Sequence, residues 1–250
     1  SKYAVIVSSD KLYRSGTDGV FQVIVATQSG TLNTACRQGL GRLWCVNQAD
    51  GLIYFDGAST AAVAGDPAGS LIDLFRNRIL VADVAGNQSR LYGSGHLDGT
   101  DWTTGAASTN AFILAIGGVN DGDKITCLMG TYGDAFLIGK ESSLWALYGF
   151  DNDDFVIREV SREVGCLDPT SVQEMDGSLY WLSRRGLERL RGTTIDWKVS
   201  DPVLDQLEAI IAAAGNSRSV TDSSQADFEA GTLAASGPGA PISATITPAS

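Results

Sequence analysis

Six carboxylate residues are the side chains of this sequence that could most directly support catalysis: Asp73, Asp83, Asp134, Glu141, Glu159 and Glu163. Two carboxyl groups about 5 to 9.5 Å apart can hydrolyse a glycosidic bond, one as the acid and the other as the nucleophile or base. No spacing selects one pair among the six, and a chain with 29 Asp and Glu residues produces such pairs by chance. We therefore expect no catalytic residues and a protein that is not an enzyme.

Two acidic segments, residues 121–123 (DGD) and 151–154 (DNDD), carry oxygen ligands of the kind that Ca²⁺ prefers. Neither segment has the glycine at the sixth position and the distal glutamate of an EF-hand loop. Asp and Asn are also common in solvated turns between strands. We expect such turns, with no metal ligands and no cofactor.

His96, the only histidine, lies in residues 93–99 (GSGHLDG), a composition typical of a loop. No Ser or Cys has the sequence signature of a nucleophile elbow. The glycines Gly39 and Gly41 lack the rest of a phosphate-binding fingerprint, so a turn before the next strand is the simpler interpretation. Catalysis through histidine and phosphate binding are therefore not expected.

Four cysteines, Cys36, Cys45, Cys127 and Cys166, are scattered without a CxxC spacing. Buried free cysteines behave as small apolar residues, and proteins of reducing compartments keep their thiols. The sequence therefore favours four free, buried thiols in a reducing compartment. Zinc is not expected, because only one histidine is present.

The composition limits the partners of the protein. The 250 residues contain 44% hydrophobic and 19% charged residues, which is enough apolar sequence for a large core. A net charge of −11 argues against binding a nucleic-acid backbone or an anionic membrane surface. No apolar run is long enough to span a bilayer, and the first residues do not resemble a signal peptide. We expect no membrane partner and no sequence-specific nucleic-acid binding.

A β-rich hairpin recurs through the first 195 residues. The five copies are residues 3–13, 43–54, 78–92, 135–145 and 179–190, and their marker residues are Leu12, Ile53, Leu91, Leu144 and Leu187. The markers are separated by 41, 38, 53 and 43 residues, a period typical of four-stranded propeller blades. A small sheet cannot cover its own apolar faces, so such blades stack on one another. The sequence thus predicts an all-β fold with a β-propeller of about five blades over residues 1–200, complete or part of a larger ring. A β-sandwich is the alternative.

The pattern changes after residue 200. Asp201 and Pro202 are a typical start of a helix. The apolar residues that follow have helical spacing and predict one short amphipathic helix over residues 201–215. Residues 216–250 are rich in Ser, Ala, Gly and Pro, and predict an extended tail that packs on a partner. We expect assembly contacts in these two segments, at Val203, Leu204, Leu207, Ile210, Ile211, Phe228 and Leu233.

Three groups of motifs, read in order, resemble the β-propeller virion proteins of tailed bacteriophages. The first is DLFRNRILVAD at 73–83 with SRLYGS at 89–94 and DGTDW at 98–102; the second is ITCLMG at 125–130 with FLIGKESSLWAL at 136–147; and the third is SREVGCLDPTS at 161–171 with LYWLSRRGL at 179–187. The segment QADFEAGTL at 225–233 is similar to a linker of phage structural proteins. This family includes tail nozzle, tubular and related tail-associated proteins, and complete members are usually longer.

The resemblance implies a non-enzymatic structural component of a phage virion, associated with the tail or close to its connector. It implies assembly in the host cytoplasm and a final location in the phage particle. The expected partners are other virion proteins and copies of the same chain. If copies surround a DNA channel, negative charge on its wall would repel the phosphate backbone.

Two other functions remain open at the level of the sequence. A receptor- or glycan-binding propeller is suggested by four aromatic residues that could lie on the surface: Tyr92, Trp102, Tyr132 and Tyr148. Aromatic side chains in blades more often belong to the core. A propeller that degrades polysaccharides would require one of the carboxylate pairs described above to act on the sugar.

Overall fold

The computed structural model describes residues 5–8, 11–15, 20–25, 33–119, 121–196 and 199. These residues form five antiparallel sheets that follow one another along the chain, and no α-helix occurs among them. The predicted helix over residues 201–215 and the tail over residues 216–250 lie outside the described part of the chain. Five sheets, rather than the two of a β-sandwich, make the sandwich alternative wrong.

Each sheet is a meander in which consecutive strands are hydrogen-bonded neighbours. The first sheet contains β1 (Val5–Ser8), β2 (Lys11–Ser15) and β3 (Phe21–Val25). The second contains β4 (Ala35–Gly39), β5 (Arg42–Asn47), β6 (Gly51–Phe55) and β7 (Thr60–Ala62). The third contains β8 (Leu71–Phe75), β9 (Arg78–Ala82), β10 (Arg90–Gly93) and β11 (Phe112–Ala115).

The last two sheets have the same order of strands. The fourth contains β12 (Ile125–Tyr132), β13 (Ala135–Lys140), β14 (Leu144–Tyr148) and β15 (Val156–Ser161). The fifth contains β16 (Gln173–Met175), β17 (Ser178–Ser183), β18 (Gly186–Arg191) and β19 (Thr194–Asp196). A 3-10 turn at Pro169–Ser171 precedes it, and the Asp168 side chain caps this turn by accepting a hydrogen bond from the Thr170 N–H.

The five predicted hairpins are confirmed, one in each sheet. They are β1–β2, β5–β6, β9–β10, β13–β14 and β17–β18. Alternating β-rich residues on both sides of a polar turn are sufficient to predict such pairs, because hairpin pairing is local. In the second to fifth sheets these hairpins supply the two central strands.

The faces of neighbouring sheets bury apolar side chains against one another. One cluster joins the second and third sheets through residues such as Trp44 and Ile79. Another joins the third and fourth sheets through Phe75 and Phe136, whose ring centroids are 5.3 Å apart. A further cluster joins the fourth and fifth sheets and includes Trp181, which is fully buried. A small sheet cannot cover its own apolar faces, so this stacking removes them from water and stabilises the fold.

The first strands of the middle three sheets lie side by side, because β8 contacts both β4 and β12. The first and second sheets also face each other. The Arg14 guanidinium donates a hydrogen bond of 2.9 Å to the Gly57 carbonyl, and the Thr60 hydroxyl donates one of 3.2 Å to the Ile24 carbonyl. The sheets therefore pack in the order in which they occur in the chain.

Candidate functional site

Arg37 and Asp73 are the most closely associated charges between the first strands of two sheets. Arg37 Nε on β4 lies 2.7 Å from Asp73 Oδ1 on β8, and the Leu74 N–H donates to the same oxygen at 2.7 Å. Burial raises the pKa of Asp73, although this N–H and the charge of Arg37 lower it in part. The ion pair joins the second sheet to the third.

Four of the other five candidate carboxylates have separate polar partners. Asp83 accepts hydrogen bonds from the Ser70 hydroxyl at 2.5 Å and from the Gln88 amide at 3.1 Å. The three glutamates each pair with a different arginine: Glu141 with Arg184, Glu159 with Arg162, and Glu163 with Arg185.

Asp134 is exposed in the turn between β12 and β13. None of the contacts of the six candidate carboxylates joins two of them to each other.

The acidic segments form capped turns. In residues 151–154, Asp154 Oδ1 accepts the N–H groups of Phe150 and Asp151 at 2.7 and 2.8 Å. These hydrogen bonds lower the pKa of Asp154. Asp123 accepts both the N–H and the hydroxyl of Ser142. Within the described ranges, no group of three His, Cys, Asp or Glu side chains is placed to hold a metal ion.

Asp121 has a different role, because it neutralises a buried cation. Lys140 is fully buried on β13, and its ammonium donates to Asp121 Oδ2 at 2.6 Å and to the Ile116 carbonyl at 2.9 Å. An unpaired buried ammonium would be very costly. This pair fastens the segment after β11 to the fourth sheet.

Arg78 organises the long segment between β10 and β11, where His96 lies. Its guanidinium is buried and donates to the carbonyls of Ser94, Ser108 and Asn110 at 2.6 to 2.7 Å. His96 is half-buried, and its backbone N–H donates to the Thr109 carbonyl. His96 lies in a loop, as predicted, and Arg78, at the start of β9, fixes the shape of that loop.

Three of the four candidate glycan-binding aromatic residues take part in the fold. Trp102 packs against the cluster between the second and third sheets. Tyr92 is half-buried on β10. The Tyr132 hydroxyl donates to the Gly177 carbonyl at 2.8 Å and accepts the Gly192 N–H at 3.0 Å, which joins the fourth sheet to two turns of the fifth. Tyr148 is the exposed member of the four.

Tyr148 belongs to an exposed surface that no pattern in the sequence indicates. We define the β14–β15 patch as Arg76, Tyr148, Phe150, Val156 and Arg158. Tyr148 and Val156 lie opposite each other on β14 and β15, and Phe150 is 60% exposed in the following loop.

The two arginines of the patch lie over its aromatic rings. Arg76 is centred 4.3 Å from the Phe150 ring and donates from Nε to the Gly149 carbonyl at 3.2 Å, while Arg158 lies 5.6 Å from the Tyr148 ring. Aromatic residues and arginine are enriched where proteins contact each other. The patch offers apolar area and cations, so its chemistry is suited to binding rather than to catalysis.

The cysteines differ from the expectation of four free thiols. Cys36 and Cys45 form a disulfide across β4 and β5, where they lie directly opposite each other with Cα atoms 4.1 Å apart. The expectation was wrong for this pair because it was based on the absence of a CxxC spacing. The hairpin turn at Leu40 and Gly41 lies midway between the two cysteines, and this symmetry was the missed signal. Cys127 and Cys166 are free and buried.

The predicted assembly contacts lie outside the described residues; they are Val203, Leu204, Leu207, Ile210, Ile211, Phe228 and Leu233. They therefore stay predictions. In the part of the chain that the structure describes, no helix is long and apolar enough to cross a membrane.

Comparison with known proteins provides information about the fold. No protein-family model matches the chain, and no curated protein matches it. One similar solved structure is the extracellular domain of a protein described as a hybrid two component system, BT3049 from B. thetaiotaomicron. The TM-score is 0.53 with 13% sequence identity, and the match covers 76% of this chain and 26% of the other.

A second similar structure is PorZ, a bacterial surface component of the type-IX secretion system of Porphyromonas gingivalis. Its TM-score is 0.50 with 14% identity, and the match covers 77% of this chain and 25% of PorZ. This chain thus spans about a quarter of the length of either protein. Identities this low support a shared all-β architecture and carry no function.

Proposed function

We propose that the described sheets are at least five consecutive blades of a β-propeller. The observation that supports this most strongly is the face-to-face packing of sheets in chain order, with the first strand of the third sheet next to those of its two neighbours. Up-and-down sheets stacked in this way are the structural unit of a propeller. The repeat of roughly 40 to 50 residues in the sequence agrees with this arrangement.

We also propose that this propeller is a non-enzymatic structural component of a tailed-phage virion, associated with the tail. The support is the order of the three groups of motifs that resemble the phage family, together with the hydrogen bonds and ion pairs of five of the six candidate carboxylates. A rigid stack of blades presents loops and edges that can contact several neighbours. In this role the partners are other virion proteins and copies of the same chain.

The β14–β15 patch is the part of the described surface that we propose for such a contact. Phe150 and Tyr148 supply exposed apolar area, and Arg76 holds the Phe150 loop through the Gly149 carbonyl. A contact that buries these rings would exclude water from both cation–aromatic pairs and strengthen them. The patch therefore suits a protein partner with an apolar or acidic surface.

Immunogold labelling tests the location. Antibodies raised against the purified protein are applied to particles released from cells that carry the gene. Regular labelling at one station of a tailed particle is the expected result. Particles free of label, with the protein found only in cell fractions, would overturn the virion proposal.

A second candidate is a domain of a bacterial surface or extracellular protein. Two observations favour it: the Cys36–Cys45 disulfide, which is typical of oxidising environments, and the fold shared with two bacterial extracellular or surface proteins. The same antibodies distinguish the two candidates. Labelling of intact cells in the absence of phage particles would support the surface domain.

A further inference from the structure

Cys127, in the fourth sheet, and Cys166, in the segment after it, come together although they are 39 positions apart in the sequence. Cys127 on β12 lies directly opposite Gly139 on β13. The backbone of Cys166 is held against the same two strands. Its N–H donates to the Lys140 carbonyl at 2.9 Å, and its carbonyl accepts the Thr126 hydroxyl at 2.5 Å.

The absence of a side chain at Gly139 leaves room for the two thiols to meet. A Cβ atom at Gly139 would lie 2.7 Å from the Cβ of Cys166 and 3.2 Å from the Cβ of Cys127. The two cysteine side chains therefore lie around one small space. Both residues have no solvent-exposed surface.

The two thiols are not equivalent. The nearby thiol of Cys127 lowers the pKa of Cys166, while the thiol of Cys166 and burial raise the pKa of Cys127. The thiolate is the reactive form of cysteine. Cys166 is therefore the thiol that reacts more readily with an oxidant, and Cys127 is placed to complete the reaction.

We propose that Cys127 and Cys166 are a redox-active pair that hydrogen peroxide converts into a second disulfide within the folded protein. The Cys166 thiolate attacks one peroxide oxygen and becomes a sulfenic acid, and the departing hydroxide takes up a proton to give water. Cys127 sulfur then attacks the Cys166 sulfur, the S–S bond forms, and a second water leaves. Two thiols and one peroxide thus give one disulfide and two waters, with two electrons passing from sulfur to oxygen.

The cross-link would join β12 to the segment that leads from the fourth sheet to the fifth. Linking two distant points of a chain reduces the conformational freedom of the unfolded state. Oxidation should therefore raise the temperature of unfolding and strengthen the connection between these sheets. This inference is independent of the proposed location of the protein.

Peroxide treatment of the purified folded protein tests the proposal. The treated protein is alkylated with N-ethylmaleimide in denaturant and digested with trypsin, which places the four cysteines in four different peptides. We expect mass spectrometry to find peptides 125–140 and 163–184 joined by a disulfide, and separated again after reduction. The Cys36–Cys45 link should be present before and after peroxide.

Two variants serve as controls. Cys127→Ala should stop the reaction at oxidised Cys166, without a cross-link. The double variant Cys36→Ala/Cys45→Ala should still form the new link, which shows that it does not arise by exchange with the first disulfide. The proposal is overturned if peroxide leaves Cys127 and Cys166 of the native sequence fully alkylated. It is equally overturned if Cys166 is oxidised to sulfinic acid while Cys127 remains a thiol.

Discussion

Arg37 and Asp73 form an ion pair of 2.7 Å between β4 and β8, the first strands of two neighbouring sheets. The two side chains differ in their contact with solvent: the arginine is 52% exposed and the aspartate 8%. The carboxylate therefore carries most of the desolvation cost of the pair. Because the cost exists only when Asp73 is ionised, it depends on pH.

The first prediction concerns Asp73→Asn. The raised pKa means that the folded state binds the proton of Asp73 more tightly than the unfolded state. As the pH falls from about 7 to about 4, the native sequence should therefore gain stability relative to Asp73→Asn. The measurement is the difference in free energy of unfolding between the two proteins, from urea titrations at each pH.

Arg37→Gln provides the companion variant. Without the positive charge, the pKa of Asp73 should rise further, so the gain in stability on acidification should start at a higher pH. At neutral pH, Arg37→Gln should lower the free energy of unfolding by at most about 1 kcal/mol, because the arginine is half exposed. A native sequence that loses stability relative to Asp73→Asn as the pH falls would contradict the assignment.

The second prediction concerns the buried ammonium of Lys140. Asp121→Asn removes the only charged partner that Lys140 has among the contacts of the described residues. The variant should lower the free energy of unfolding by about 3 kcal/mol, because a buried charge remains uncompensated. Lys140→Met removes that charge and leaves the partly exposed Asp121 in contact with water, so it should cost less. Urea unfolding of both variants gives the comparison.

A surface pair is the matched control for this experiment. Glu159 and Arg162 lie 2.6 Å apart, with the arginine 78% exposed. Glu159→Gln should leave the free energy of unfolding nearly unchanged, as is usual for exposed ion pairs. An equal cost for Asp121→Asn and Glu159→Gln would show that Lys140 is not desolvated in solution.

The third prediction concerns the Cys36–Cys45 disulfide. It links two cysteines that are nine positions apart in the sequence and so closes a short loop. Because the link reduces the conformational entropy of the unfolded chain, it should stabilise the fold by about 2 to 3 kcal/mol. The double variant Cys36→Ala/Cys45→Ala should unfold at correspondingly lower urea concentration. A reducing agent should shift the native sequence in the same direction and leave the variant unchanged. If reduction shifts both proteins equally, the disulfide is not the source of the effect.

Local features of the fold were predictable from the sequence, and contacts between sheets were not. The β5–β6 hairpin follows from alternating apolar residues around the turn at Asp50 and Gly51, because its two strands are adjacent in the chain. The Arg37–Asp73 pair depends on how two sheets pack together. Nothing at either residue distinguishes it from other charges in strands.

The candidate site shows the same limit. The β14–β15 patch combines Arg76 from the turn between β8 and β9 with Phe150, which is 74 residues further along the chain. Among the aromatic residues chosen from the sequence, only Tyr148 belongs to the patch. The others fill positions that depend on contacts between sheets, such as the link from Tyr132 to Gly177.

The fourth prediction concerns Gly165, where the chain passes from the fourth sheet to the fifth. A Cβ atom there would lie 2.4 Å from the backbone carbonyl oxygens of Lys140 and Glu141. The carbonyl of Gly165 also accepts the indole N–H of the buried Trp181 at 3.0 Å, so the segment cannot move away without losing that bond. Gly165→Ala should therefore lower the free energy of unfolding by about 3 kcal/mol.

Gly122→Ala is the control for this backbone effect, because a Cβ atom at Gly122 meets nothing within 4 Å. It should change stability by less than about 0.5 kcal/mol. Urea unfolding followed by tryptophan fluorescence measures both variants, and Trp181 should become more accessible to acrylamide quenching in Gly165→Ala. If Gly165→Ala is as stable as Gly122→Ala, the crossing segment does not pack against the carbonyls of residues 140 and 141. Cys166 follows this glycine directly in the chain, so its close approach to Cys127 would then lose its structural basis as well.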